Sequence, residues 1–250
     1  MKSLYLIVIP ARFESKRLPG KVLANIGGRP MIEHVWRAAQ DASADRVVVA
    51  TDDARIEAAV TGVGGEAVRT RADHASGSDR IAEVAAHLGL AGDAIIVNLQ
   101  GDEPEMPPAC LDQVAALLAD GGDVATLYQQ IDDPEEVDDP NAVKVVVDGR
   151  GEALYFSRAA IPHGRGHGSG AAALAAGVTY RRHVGLYAYR VEALRRFTEA
   201  APSPLEQAEA LEQLRFLELG LRIRVAEACV PIPAGIDTPA DLERARRRMA

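Results

Sequence analysis

The sequence predicts an α/β fold, with a mostly parallel central sheet, helices on both faces and an elaborated second half. Three observations predict it. Short apolar runs of strand length recur through residues 1–130, each followed by apolar positions at helical spacing. That alternation encodes parallel strands joined by crossover helices. The strong runs also end in polar or charged clusters, which a parallel sheet gathers at one edge.

The elements follow in order. Leu4-Tyr5-Leu6-Ile7-Val8-Ile9 reads as a buried parallel strand. A long basic loop follows it, with Pro10, Pro19 and Gly20 among the cations Arg12, Arg17 and Lys21. Met31, Ile32, Val35, Trp36 and Ala39 then fall on one helical face. Arg46 to Ala50 is a second buried strand, ending in Thr51-Asp52-Asp53. Ile56, Ala59, Val60 and Val63 mark a helix that Gly64-Gly65 stops. A short strand, Glu66 to Arg69, precedes the loop from Thr70 to Ser78, and Ile81, Val84, Ala85 and Leu88 give the next helix. Ala94 to Leu99 is a strong strand ending in Gln100-Gly101-Asp102-Glu103-Pro104. Pro107-Pro108 begins a helix through Leu111, Val114, Leu117 and Leu118, ended by Gly121-Gly122.

The second half changes character. Strand patterns at Ala142–Val147 and Val184–Arg190 flank a Gly- and Ala-rich stretch, Gly164 to Gly177, which reads as a mobile loop or lid. Pro202 to Glu206 opens one long helix carrying Leu211, Leu214, Leu217 and Leu219, and Arg222–Ala228 is another strand. Thr238-Pro239-Ala240-Asp241 opens the last helix with a cap, a first-position proline and a capping-box Asp. There is no internal repeat and no clean linker, so residues 1–250 read as one domain.

Composition narrows the function. The 250 residues include 28 basic and 36 acidic ones, a formal net charge of −8, which argues against a general nucleic-acid-binding surface but permits a local basic pocket. Aromatic content is only 4%, so the core must be aliphatic. Cys110 and Cys229 form no Cys-x-x-Cys pair, and read as buried, inert thiols in a reducing compartment. The first apolar run is too short for a secretory signal, and no stretch reaches membrane-spanning length. A soluble cytoplasmic protein with no membrane partner is the expectation.

The chemistry sits at the strand ends. Arg12, Arg17 and Lys21 follow the first strand, Gln100, Asp102 and Glu103 follow the third strong one, and Asp237 lies in a late loop. Cations at the carboxyl edge of a parallel sheet suit a polyphosphate, although neither a Walker loop nor a Gly-x-Gly-x-x-Gly is present. Carboxylates beside phosphates commonly hold Mg²⁺. Together they are phosphoryl- or nucleotidyl-transfer equipment. Each residue also has a plainer reading. Asp102 suits a turn, Asp237 directly precedes the cap Thr238, His183 alone suits packing, and Glu212 and Gln213 suit an exposed helix.

Taken as an ordered set, the motifs resemble the cytidylyltransferases of sugar acids, and within them the branch that acts on 3-deoxy-D-manno-octulosonate (Kdo). The set includes Ile9-Pro10-Ala11-Arg12 with Ser15, Arg17-Leu18-Pro19-Gly20-Lys21, and Thr70-Arg71-Ala72-Asp73-His74 with Ser76-Gly77. It continues through Gln100-Gly101-Asp102-Glu103-Pro104, Tyr155-Phe156-Ser157-Arg158, His183 with Gly185, Tyr187 and Tyr189, and Leu211-Glu212-Gln213-Leu214-Arg215. It closes on Asp237-Thr238-Pro239. The basic loop is shared with the sialic acid branch.

The resemblance implies a Rossmann-like nucleotidyltransferase fold, a Mg²⁺ cofactor and a homodimer. Residues 1–130 would then bind mainly the nucleotide, and residues 131–250 would supply the sugar-acid pocket and dimerisation elements. The implied reaction joins CTP and Kdo to give CMP-Kdo and pyrophosphate, which activates Kdo for lipopolysaccharide synthesis. Alternatives are a related sugar acid, such as sialic acid or amino-Kdo, or a non-catalytic nucleotide-binding protein. By motif, Arg12 and Lys21 match the triphosphate-binding catalytic positions, supported by Ser15 and Arg17. Ala11, Arg71, Ser76 and Gly77 match cytidine-binding positions, and Asp102 and Asp237 match catalytic Mg²⁺ ligands. Gln100, Arg158, His183, Tyr187, Glu212 and Gln213 match the sugar-acid pocket, with the planar fork of Arg158 suited to the carboxylate. The chain departs from the pattern at Gly164–Gly177, at Glu105 in place of an apolar residue, and at Ala188 in place of a glycine.

Overall fold

The computed structural model describes residues 5–14, 18–74, 76–119 and 121–249. Strand β1 (Tyr5–Ala11) leads through a 3-10 turn (Lys21–Leu23) and a small hairpin, β2 (Asn25–Ile26) and β3 (Arg29–Pro30), into α1 (Met31–Gln40). There follow β4 (Arg46–Thr51), α2 (Ala54–Thr61), β5 (Glu66–Arg69), α3 (Gly77–His87), β6 (Ile95–Asn98) and α4 (Pro108–Ala116). Beyond α4 come β7 (Val124–Gln130), α5 (Pro134–Asp138), β8 (Lys144–Val147), β9 (Ala153–Ser157), α6 (Gly170–Ala175) and β10 (Arg181–Arg190). Last are α7 (Val191–Glu199), α8 (Pro204–Glu209), α9 (Gln213–Glu218), β11 (Ile223–Glu227) and α10 (Pro239–Arg248).

Among the described residues nine strands form one sheet, ordered β11-β7-β10-β6-β1-β4-β5, with β8 paired to β10 and β9 to β8. β1 is parallel to both β4 and β6, β4 to β5, and β7 to β11. β10 is antiparallel to β6 and β7. Strands buried on both sides must be apolar at every position, and β1 shows it. Ile7 and Ile9 enter the core on one face with Val49 and Leu111, and Val8 enters the core on the other with Val48 and Ile81. The mostly parallel sheet with helices on both faces is therefore observed. The second half elaborates the same sheet with antiparallel strands.

Three expectations need correction. The long helix from Pro204 is two short helices, α8 and α9, because Ala210 adopts a left-handed backbone (φ 52°) and breaks the run. Arg158 stabilises the break by donating to the carbonyls of Glu209 and Ala210 at 2.7 and 3.2 Å. The stretch Gly164–Gly177 is not all loop. Ser169 caps α6, a run of four alanines among six residues favours helix, and Ala173 is buried with Ile131, Val137 and Tyr180. Cys110 is buried as expected, but Cys229 is exposed, and the two sulfurs stand 3.8 Å apart. No helix among the described residues is long and apolar enough to cross a membrane.

Candidate active site

β1 and β6 are adjacent and parallel, so the segments leaving their carboxyl ends emerge side by side. The turn Gln100–Asp102 packs so closely against the end of β1 that a side chain at its centre would crowd the strand. A Cβ on Gly101 would meet the Pro10 carbonyl oxygen at 3.0 Å and the Ala11 Cβ at 3.4 Å. The N-terminus of α3, at Ser76 and Gly77, closes the third side, with Ser76 in a reciprocal capping box with Asp79. The loop before α10 closes the fourth: Ile236 N–H donates to the Asp102 carbonyl at 2.9 Å. A second capping box, Thr238 with Asp241, fixes where α10 starts and so where Asp237 stands.

These segments enclose a cleft of about 460 Å³, lined by Ala11, Arg12, Lys21, Ser76, Gly77, Gln100, Asp102, Glu212 and Asp237, with Glu14, His74 and Arg80 beside them. Lys21 stands at its centre. Its ammonium pairs with Asp102, donates to Asp237 Oδ1 at 3.0 Å and lies 3.4 Å from the Ile236 carbonyl. Burial pulls the Lys21 pKa down, but Asp102 and then Asp237 outweigh it, so the net direction is up and the group stays charged. Arg80 is buried beneath, bonded to Thr70 and 3.2 Å from Asp52. Glu103 lies behind Asp102 with one carboxylate oxygen buried and unbonded. Burial, then Asp102 and Asp237, push its pKa up to about 8.

A second hollow of about 380 Å³ adjoins the first and shares Gly77, Gln100 and Glu212 with it. His183, Tyr187, Tyr189, Gln213 and Asn98 line it. Its wall is aromatic: Phe156 meets His183 edge-on at 5.0 Å, and Tyr187 stacks on Tyr189 at 5.6 Å. Burial lowers the His183 pKa to about 3, so the ring is neutral. Burial also raises the Glu212 pKa, against the opposing hydrogen bond from Ser78 Oγ at 3.2 Å.

Most of the residues singled out from the sequence thus meet in two joined hollows. Two do not. Arg71 is exposed and turned to Asp73, on the far side of His74 from the cleft. Arg158 does not line the second hollow, because its guanidinium is occupied by the carbonyls of Pro140, Glu209 and Ala210. Ser15 and Arg17 lie outside the described residues. Glu105, which stands in place of an apolar residue of the family pattern, pairs with Arg248 of α10. Sequence reasoning gave no site role to Arg80, Asn98 or Tyr189. Arg80 had a signal, since it stands one helical turn before Val84 on an otherwise apolar stripe. So did Asn98, a polar residue ending a fully buried strand.

Comparison with known proteins fits this geometry. A family described as Cytidylyltransferase matches residues 6–223. The chain is 54% identical to the 3-deoxy-manno-octulosonate cytidylyltransferase of Pseudomonas fluorescens over 99% of its own length and 98% of that protein's. It is 53% identical to the protein of the same description from Pseudomonas syringae, with the same coverage. Among solved structures, CMP:2-keto-3-deoxy-manno-octonic acid synthetase complexed with CTP superposes with a TM-score of 0.90 at 44% identity, covering 99% of this chain and 98% of that one. A 4-diphosphocytidyl-2C-methyl-D-erythritol synthase superposes at 0.63 with 14% identity, covering 98% and 99%, and shares the fold.

Proposed function

This chain belongs to the cytidylyltransferase family, and on that premise we propose that it transfers CMP from CTP to the anomeric hydroxyl of Kdo, releasing pyrophosphate. The observation that carries the reading is the junction of the two hollows at Gly77, Gln100 and Glu212. A cleft that gathers Arg12, Lys21 and Arg80 beside the carboxylates of Asp102 and Asp237, a set suited to a triphosphate and its counter-ion, opens there onto an aromatic hollow suited to a sugar, so a sugar hydroxyl and an α-phosphate come together at one point.

The roles follow from chemistry and place. Arg12 and Lys21 bind the triphosphate and stabilise charge as it grows on the phosphate oxygens. Ser15 and Arg17 are proposed to support that loop. Ala11, Ser76 and Gly77 hold the cytidine, with Arg71 at the rim beyond His74. Gln100, His183, Tyr187, Glu212 and Gln213 hydrogen-bond the sugar acid, and the aromatic wall excludes water around it. Arg158 frames this hollow by holding the Glu209–Ala210 break, which turns Glu212 and Gln213 inward.

Asp102 and Asp237 converge on a single ammonium position, and hard carboxylate oxygens meeting at one point fit Mg²⁺, which needs only one or two beside substrate oxygens. They would hold that ion, which when bound neutralises phosphate charge and lowers the pKa of a coordinated hydroxyl. Lys21 stands between the two carboxylates and in this reading shares the position with the ion. The working form in this reading is a cytoplasmic homodimer. Pyrophosphate release from CTP with Mg²⁺ tests the reading, with Kdo and sialic acid supplied in parallel. Release with Kdo alone, stopped by EDTA, is expected. Release with sialic acid alone moves the enzyme to the other branch, and no release with either acid refutes the activity.

A further inference from the structure

β10 leaves its register with β7 between Val184, which faces Leu127, and Tyr187, which faces Thr126. Two residues, Gly185 and Leu186, are inserted there. Because the insertion is even, the side-chain alternation survives it. His183, Gly185, Tyr187 and Tyr189 all line the sugar hollow, while Val184, Leu186 and Ala188 all enter the core behind it.

The bulge brings the carbonyls of Val184 and Leu186 over one side chain of β7. The fully buried Thr126 hydroxyl lies under them, 2.8 Å from the Leu186 oxygen and 3.0 Å from the Val184 oxygen. Its third neighbour is His183 Nε2, at 3.0 Å. A threonine hydroxyl has one proton to give and two lone pairs to receive. Carbonyl oxygens only accept, and if the proton went to Nε2 both would face the hydroxyl oxygen at 2.8 and 3.0 Å with no hydrogen between, so the proton goes to them. An unprotonated Nε2 would be a third acceptor facing an oxygen with no proton left. Nε2 must therefore donate. The ring is neutral, as burial requires, so Nδ1 carries no proton. Nδ1 also has no hydrogen-bond partner among the described residues.

We propose that Thr126 is a positioning residue that fixes His183 as its Nε2–H tautomer, so that Nδ1 is offered to the sugar acid as an acceptor for one substrate hydroxyl. This deepens the Kdo reading and rests on it for the identity of the ligand. A site built this way selects for a hydroxyl donor at one position of the sugar. An analogue with hydrogen or a methyl ether there would cover Nδ1 without supplying it a donor, which discriminates against that analogue. Thr126 acts through His183 and touches no substrate.

Long-range ¹H–¹⁵N spectra of the histidine rings read the tautomer directly, with the His183 signals assigned by their loss in His183→Gln. The wild-type protein without substrate is expected to show a protonated Nε2 and a bare Nδ1. Thr126→Ser, which keeps the hydroxyl, should preserve both the spectrum and the kinetics. Thr126→Val should populate the other tautomer and raise KM for Kdo about tenfold, the loss of one hydrogen bond, with KM for CTP changed less than about twofold. A protonated Nδ1 in the wild type overturns the proposal, and needs no variant to fold. So does a Thr126→Val enzyme whose two KM values rise together, which would mark a merely structural role. The Nε2–H tautomer in a protein that does not use Kdo overturns the activity and upholds the tautomer. The Nδ1–H tautomer in an active enzyme does the reverse.

Discussion

Replacing Lys21 by methionine separates two effects of opposite sign. The substitution keeps the length of the side chain and removes its charge from between Asp102 and Asp237. Without CTP, Asp102 and Asp237 lose the ammonium that stands between them. The Asp237 side chain is 43% exposed and the Asp102 side chain 26%, so water screens much of the loss. The cost is then about 1 kcal/mol, or about 2–4 °C in the thermal midpoint of a chain this size. Lys21 has a raised pKa, so its stabilising contribution is complete below 10.5 and fades only as pH rises through the higher folded value. The destabilisation should therefore be level across neutral pH.

In the proposed reading, where Asp102 and Asp237 hold Mg²⁺, the same loss removes a competitor for the ion. Without CTP, Mg²⁺ should bind Lys21→Met about fivefold more tightly than the wild type, the equivalent of about 1 kcal/mol. Turnover moves the other way. One missing cationic donor at the developing phosphate charge costs about a hundred- to a thousandfold in kcat. Calorimetric titration with Mg²⁺ and a pyrophosphate-release assay read the two arms on one preparation. Turnover within about tenfold of wild type would refute the phosphate role. Weaker Mg²⁺ binding would refute the shared position.

Asp102→Asn should cut turnover at least about a hundredfold and weaken Mg²⁺ binding, with the thermal midpoint within about 4 °C of wild type. Gly101→Ala drives a methyl against the Pro10 carbonyl, so about 1–3 kcal/mol of stability should be lost in denaturant titration, and kcat should fall as the Asp102 turn shifts. Arg215→Met strands the buried Glu206, whose carboxylate accepts from Arg215 Nε at 2.6 Å, at a cost of about 3–5 kcal/mol near neutral pH. Burial alone would raise the Glu206 pKa, but Arg215 and the Ser203 N–H bring the net direction below 4.5. That stabilisation is present above pH 4.5 and lost as pH falls through the folded value, so the gap between variant and wild type should narrow in acid.

The chain through α4 was legible because β1, β4 and β6 are buried on both faces and the helices between them carry apolar stripes. β1, β4 and β6 appear as continuous Val/Ile runs, and β5 stands at the residues its pattern marked. The second half was less legible for physical reasons. β9 is an edge strand with Leu154 exposed, so its pattern shows no buried run. The α8–α9 break rests on one alanine in a left-handed conformation, which alanine's helix preference conceals. The strand-end residues of the site were visible as charge after apolar runs. Arg158 was visible as a fork, but not its use on backbone carbonyls, because those carbonyls are freed only by the break at Ala210.

The most direct test is the product itself. After CTP, Mg²⁺ and Kdo are incubated with the enzyme, ³¹P spectra and mass spectrometry identify what carries the α-phosphate. The expected result is CMP joined through its phosphate to the anomeric carbon of Kdo, with one pyrophosphate for each CTP consumed. CTP consumed to free CMP, or left intact while Kdo is present, would contradict the account.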